Sequence, residues 1–379
     1  MKIRTITTGF PIDETFSEKQ FSKLAETTKN IKEAFQNNSY DVQTIRMSTQ
    51  PWEPYAATRS ELMNKVKELH QLTKTYDIDY FNIGPTMDPE KIIWLSPVIE
   101  QTTNGFCTSQ ICDSKEIFFD AAWKTAQLIK QLSNLEPNGF ANLRFAALCN
   151  VGPSSPFYPA SYHDTGKPSF GIGLENSDLL YNAFEQAKNI KNAKQHLKTL
   201  FESTYREIEK NAHQISKHEK ISYNGIDVSI SSSVQKNESI AYGFEHLGLG
   251  SFGGAGTLSI AKLVTETLQN IPVKKTGYCG LMLPILEDHG LATRNTQGHL
   301  SITKLLLYSS VCGTGLDTIP LPGDITVETI YGILLDVASL SIKLQKPLSA
   351  RLMPIPGKKA GDLTAFDFPY FVNSTIMQP

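Results

Sequence analysis

Cys312 is followed by Gly313, Thr314 and Gly315, with Asp317 five residues after the thiol and Pro320 and Pro322 closing the segment. Glycines let a backbone turn sharply or approach a ligand closely. A thiol at such a turn can be presented to a cavity as a nucleophile or a proton carrier, once its surroundings favour the thiolate. The plainer alternative is a tight loop in a large core, with Cys312 as a small hydrophobe. Cys107 is a second candidate thiol, followed by the hydroxyls of Thr108 and Ser109. His163 lies in a proline-stiffened loop that begins at Asn150 after an apolar run. An imidazole can move protons near neutral pH, and Asn150 can orient a carbonyl or carboxylate. Asp227 and Asp317 are candidate carboxylates on strands. Gly253, Gly254, Gly256 and Thr257 lead into an apolar helix, whose first N–H groups can hold an anion. Arg351 can bind an anionic group or pair with a buried acid. Glu287 and Asp288, followed by His289, are candidate ligands for a divalent cation, although adjacent side chains point in different directions.

These residues need a scaffold, and the alternation of short β-branched runs with amphipathic segments describes one. Strands are expected over 2–9, 41–46, 80–84, 106–111, 142–149, 169–174, 227–231, 280–285, 316–320 and 349–355. Helices are expected over 18–35, 57–75, 89–102, 114–131, 177–218, 239–247, 257–270 and 326–344, with Ser177 as a helix cap. The pattern implies an α/β protein with helices around a sheet or barrel, and no linker divides residues 1–379. The odd separation of Cys107 and Cys112 implies opposite faces of a regular strand. A net charge of −2 argues against a strongly electrostatic nucleic-acid or membrane binder. Five scattered cysteines without a CxxC pair argue against a disulfide framework and for a reducing cytoplasm. The first eight residues read as a strand rather than a secretory signal.

Taken in order, several stretches resemble one known family: the opening strand at Lys2, Cys107-Thr108-Ser109, Asn150 with Pro156-Phe157, and Ala160 to His163. Further matches are Asp227 with its serines, Glu287-Asp288 with Gly290, Cys312 to Asp317, and Pro356-Gly357-Lys358-Lys359 with Gly361-Asp362. Together they are similar to the domain-of-unknown-function family 711, also called uncharacterised protein family 0210. The resemblance implies a single barrel of about ten strands ringed by helices, like that of pyruvate formate-lyase and other glycyl radical enzymes. It carries no established activity, and the segment around Gly357 and Gly361 does not look like a glycyl radical motif. The chain departs from the family at Ile83 to Met87, at Gly254-Ala255-Gly256 where a histidine is usual, and at Phe366 to Phe371.

The expectation is a cytoplasmic enzyme acting on a small polar carbonyl or carboxylate compound, without a glycyl radical. Cys312 and Cys107 would supply thiol chemistry, His163 would carry protons, and Asp227 and Asp317 would assist. Asn150, the glycine cluster and Arg351 would hold the ligand, and Glu287 with Asp288 a divalent metal if one is used. A non-catalytic small-molecule-binding or regulatory protein is the alternative, and a structural subunit a third. Self-association is plausible for a fold of this size.

Overall fold

A computed structural model describes residues 2–164 and 166–379. Nine strands form one mixed sheet: β1 Lys2–Gly9, β2 Val42–Pro51, β3 Tyr80–Gly84, β4 Gly105–Cys112, β5 Phe145–Cys149, β6 Ser169–Glu175, β7 Ser222–Asp227, β8 Gly315–Pro322 and β9 Leu348–Ile355. Their spatial order is β7-β6-β1-β2-β3-β4-β5-β9-β8. Strands β1 to β5 run parallel to one another, while β6 is antiparallel to β1 and β9 is antiparallel to β5. Strand β8, with Pro320 and Pro322, lies at an edge, where a missing backbone donor is tolerated.

Period-two patterning assigns the two faces. On β2, Ile45 and Met47 enter the main apolar core, while Thr44 and Arg46 face the other way. On β9, Leu348, Ala350 and Leu352 enter that core, and Ser349 and Arg351 face away. The helices cover the apolar face. The longest, Ile190–Glu219, buries Ala193, Leu197, Phe201, Tyr205, Ile208, Ala212 and Ile215, a stripe with steps of three and four residues. Its left-handed C-cap is Lys220, and Asn189 caps its start by accepting from Asn192 N–H.

Several expected elements differ. The 177–218 segment is two helices, Ser177–Glu185 and Ile190–Glu219, and Ser177 is the first helical residue rather than the cap. The 89–102 segment breaks into the short turns Pro89–Ile92, Ile93–Leu95 and Ser96–Glu100. The strand expected over 227–231 ends at Asp227, because that carboxylate accepts from the Ser229 amide and bends the chain. Helices His289–Thr296 and Ile302–Ser309 were not anticipated. Cys107 and Cys112 both enter the apolar core, because pairing with β5 shifts register between Gln110 and Cys112.

The expected strand over 280–285 is irregular. Single parallel bridges join Ile226 to Lys275, Ile230 to Leu281 and Pro284 to Asp317, so this segment touches both edge regions of the sheet. A regular ladder is precluded by Pro284, which lacks a donor, and by positive φ at Gly277 and Cys279. Among the described residues the sheet thus has nine strands rather than ten, and no continuous ladder closes it.

Candidate functional site

The face of the sheet turned away from the main core lines a cavity of about 150 Å³. Many of its polar groups come from alternate strand positions, Arg4 on β1, Thr44 and Arg46 on β2, Asp317 on β8, and Ser349 and Arg351 on β9, and Glu287 and Thr314 join them from outside the strands. Tyr80, Phe106, Tyr158, Tyr278 and Met282 supply aromatic and apolar wall. Phe368 and Tyr370 of the C-terminal tail complete it, the tail being tied back where Val372 N–H donates to Leu286 O at 2.7 Å.

Four charges form a row. Arg4 Nη2 lies 2.6 Å from Glu287 Oε2, Glu287 Oε1 lies 2.6 Å from Arg351 Nη2, and Arg351 Nε lies 2.6 Å from Asp317 Oδ1. Burial pushes the Glu287 carboxyl up, but Arg351 and Arg4 overcome it and hold the group below the usual glutamate value. At the end of the row, burial holds Asp317 above the usual aspartate value against the pull of Arg351, and Glu287 adds to the rise.

Arg46 is different. Among the described residues, no carboxylate lies within ion-pair distance of it. Its Nε donates to Thr44 Oγ1 at 3.0 Å, and its guanidinium lies 5.5 and 5.1 Å from the ring centres of Tyr80 and Tyr158. Burial, with Arg4 as a like-charged neighbour, outweighs the pull of Tyr158, Tyr80 and the more distant Asp79 and draws its pKa down to about 10, so it stays charged at neutral pH. Lys2 and Arg4 share Glu175, at 3.3 and 3.7 Å. On the cavity lining, Arg4, Arg46 and Arg351 face Glu287 and Asp317, and the cation left without an ion pair is Arg46.

Of the residues singled out in the sequence, Arg351, Asp317 and Glu287 come together on this cavity. Asp288 turns away from Glu287. Its Oδ1 accepts from Ser239 Oγ and Leu291 N–H at 2.6 and 2.9 Å, and its Oδ2 accepts from Ile240 N–H at 2.7 Å. It thereby anchors the starts of two helices. Among the described residues, no group of three or more His, Cys, Asp or Glu is arranged to hold a metal ion.

Asp227 is fully buried and accepts from Ser229 N–H, Ser229 Oγ, Tyr278 N–H and Cys279 N–H at 2.6–3.0 Å. It fastens the 277–280 segment, and with it the Tyr278 wall, to the end of β7. Burial raises its pKa above the usual aspartate value, against the pull of these donors.

The thiols stand behind the wall. Cys107 packs in the core with Sγ 3.8 Å from Leu95 O, and burial pushes its thiol far up. Cys312 is 1% exposed, and burial raises its thiol despite the nearby Lys346 ammonium. The glycine after it serves packing: a Cβ on Gly313 would lie 2.7 Å from Gly280 backbone atoms. At Gly315, φ is +95° and a Cβ would meet Ser349 O at 2.3 Å. His163 is buried outside the cavity lining, with Nε2 3.1 Å from Gly166 O, and burial draws its pKa down. Asn150 is a positive-φ turn residue whose N–H donates to Cys112 O. The loop of Gly253, Gly254 and Gly256 closes on itself, with Gly253 N–H donating to Thr257 Oγ1 at 3.1 Å. The residues missed were Arg4, Arg46, Tyr158 and Tyr278. The readable signal was an arginine between Ile45 and Met47, whose apolar neighbours take the opposite face.

The family described as Uncharacterised ACR (DUF711) matches residues 1–367. The chain is 24% identical over 397 residues to a UPF0210 protein of Clostridium perfringens, covering 97% of this chain and 88% of the relative. It is 26% identical over 322 residues to one of Methanopyrus kandleri, covering 80% and 71% of the two chains. It is also 26% identical over 402 residues to one of Neisseria gonorrhoeae, covering 96% and 87%. The chain that builds this arginine-lined cavity belongs to the DUF711 family of uncharacterised proteins, also named UPF0210.

Proposed function

We propose that the protein binds a small carboxylate-bearing polar compound in the sheet-lined cavity and acts on it by acid–base chemistry. The observation that carries this is Arg46, a partly buried guanidinium without an ion-pair partner among the described residues, on the wall of a cavity whose lining holds one surplus positive charge. A charge held out of water is costly unless paired, and a bound carboxylate would supply the partner through paired N–H donors. A 150 Å³ space suits a molecule of about benzene's size or slightly larger. Asp317, whose pKa is raised, is the group best suited to take or give a proton. Thiol catalysis has less support, because Cys312 and Cys107 do not line the cavity. The same fact favours the second reading, a protein that holds its ligand unchanged.

The test is calorimetry with a set of short carboxylates against wild type and Arg46→Met. Binding that the variant loses supports the site. Equal binding by both proteins would sink it. Incubation of a bound compound in D₂O, followed by NMR, separates the two readings: C–H exchange that Asp317→Asn abolishes marks catalysis, and an unchanged ligand marks storage or sensing.

We also propose that segment 275–285 serves as a tenth, irregular stave, giving a barrel like that of pyruvate formate-lyase. The support is its bridges to Ile226, Ile230 and Asp317. A stored glycyl radical has no support in the exposed turn positions of Gly357 and Gly361, and an electron paramagnetic resonance signal at Gly361 after treatment with an activating enzyme would overturn that view. A cytoplasmic setting fits five free thiols, of which Cys112 and Cys149 are register partners on adjacent strands.

A further inference from the structure

We infer that the ligand is a short zwitterion, an amino acid held by its carboxylate at Arg46 and by its ammonium at Asp317 and Thr314. This deepens the carboxylate reading and rests on it. The cavity is polarised. The row Arg4–Glu287–Arg351–Asp317 alternates in sign, with an arginine at one end and an aspartate at the other. Arg46 is a like-charged neighbour of Arg4, and Asp79, which also acts on it, lies off the lining, so the surplus positive charge of the lining gathers at the arginine end. A ligand with a single carboxylate satisfies that end only.

The aspartate end is left short of donors. Asp317 Oδ1 accepts from Arg351 Nε, and its second oxygen accepts no hydrogen bond among the described residues. Thr314, three residues earlier, lines the cavity and is 3% exposed, yet its Oγ1 is buried without a partner. The neighbouring hydroxyls are already committed: Tyr278 OH donates to Ser349 Oγ at 2.9 Å, and Ser349 Oγ donates to Thr314 O at 3.2 Å. The free Asp317 oxygen and the Thr314 hydroxyl, which can accept as well as donate and lies just beneath the surface, thus sit on one short stretch of the cavity lining. An ammonium, with three N–H donors and a positive charge, answers both. A second carboxylate there would meet Asp317 as a like charge.

The experiment is calorimetry with α- and ω-amino acids of about two to five carbons. Each is run beside its hydroxy-acid, plain-carboxylate and dicarboxylate analogues. Wild type should bind the best amino acid at least about tenfold more tightly than any of its analogues. Asp317→Asn should remove that advantage and leave plain-carboxylate binding in place. Since Asp317→Asn also strips Arg351 of a partner, Thr314→Val is the second variant. It deletes a hydroxyl that bonds nothing in the protein, and should weaken the amino acid alone by a few-fold. If a dicarboxylate or plain carboxylate binds as tightly as the amino acid, and does so through Arg46, the zwitterion is wrong and the carboxylate site stands. If Arg46→Met leaves the whole panel unaffected, the carboxylate reading and this inference fall together.

Discussion

Arg46 separates binding from folding. A partly buried cation without an ion pair contributes little to stability, and replacing it by an apolar side chain of similar length is often neutral. Arg46→Met should therefore change unfolding free energy by no more than about 1 kcal/mol, while carboxylate binding falls at least about tenfold. Denaturant melts beside calorimetry check both halves, and a large loss of stability would show that the guanidinium is structural. The thiols make the opposite case. Cys107 and Cys312 are buried with raised pKa values, and only Cys279 is half-buried, its thiol pushed up to about 12 by burial with Asp227 nearby. Alkylation of the native protein at neutral pH should be slow at every position, with Cys279 first, as mass spectrometry of the digested protein would show. Fast modification of Cys312 would return it to the list of nucleophiles. Residue types alone drew attention to these thiols, because reactivity depends on exposure and charge environment that a linear pattern does not contain. Arg351, Asp317 and Glu287 were legible as a charged set. Their gathering on one cavity required the strand order.

At the scale of elements, short helices around the glycine loop depend on one ion pair. Arg294 Nε and Nη2 donate to Glu245 Oε1 and Oε2 at 2.7 and 2.5 Å, and Glu245 Oε1 also accepts from Phe252 N–H at 2.8 Å. Helices Ile240–Glu245 and His289–Thr296 are thus tied to the loop that precedes Thr257. Burial raises the Glu245 pKa, but Arg294 and the Phe252 amide outweigh it and hold the carboxyl below its ordinary 4.5. Its stabilisation is therefore fully present above that value and is lost as pH falls through the lowered folded value. Glu245→Gln should cost about 1–2 kcal/mol at pH 7, and the difference from wild type should shrink as pH drops below 4.5. A pH-independent difference in denaturant melts would refute this. Alternation made β3 and β9 legible within a residue or so, because their faces differ in polarity, and β1 was legible from its run of β-branched residues. The helices His289–Thr296 and Ile302–Ser309 escaped notice, since each is only eight residues long and starts from a cap rather than a sustained apolar stripe. The 280–285 run has strand-like apolar residues, and Pro284 with the neighbouring turns explains why it bridges rather than pairs.

For the whole molecule, the question is what joins the two ends of a nine-stranded sheet around one cavity. Asp227 is the main fastening on the β7 side. Its two oxygens accept from four donors, two of them the backbone amides of Tyr278 and Cys279. On the other side, Gly313 N–H donates to Leu281 O and Ile285 N–H donates to Asp317 O. If this segment couples the sheet edges, cutting it at Asp227 should weaken the whole fold rather than fray one loop. Asp227→Asn keeps the shape of the side chain but turns an amide NH₂ towards donors, so at least one buried N–H loses its acceptor. The cost should be about 2–4 kcal/mol. Ligand binding should fall as well, because Tyr278 and Met282 wall the cavity. Hydrogen exchange provides the decisive readout. In wild type, amides of Ile226, Ile230 and Met282 should share one level of protection with β1 and β2. In the variant, all should lose protection together. Loss confined to 275–285 would mean that this segment is a local flap and that the sheet stands without it. The Arg46→Met variant, which spares this fastening, would retain full protection in either case.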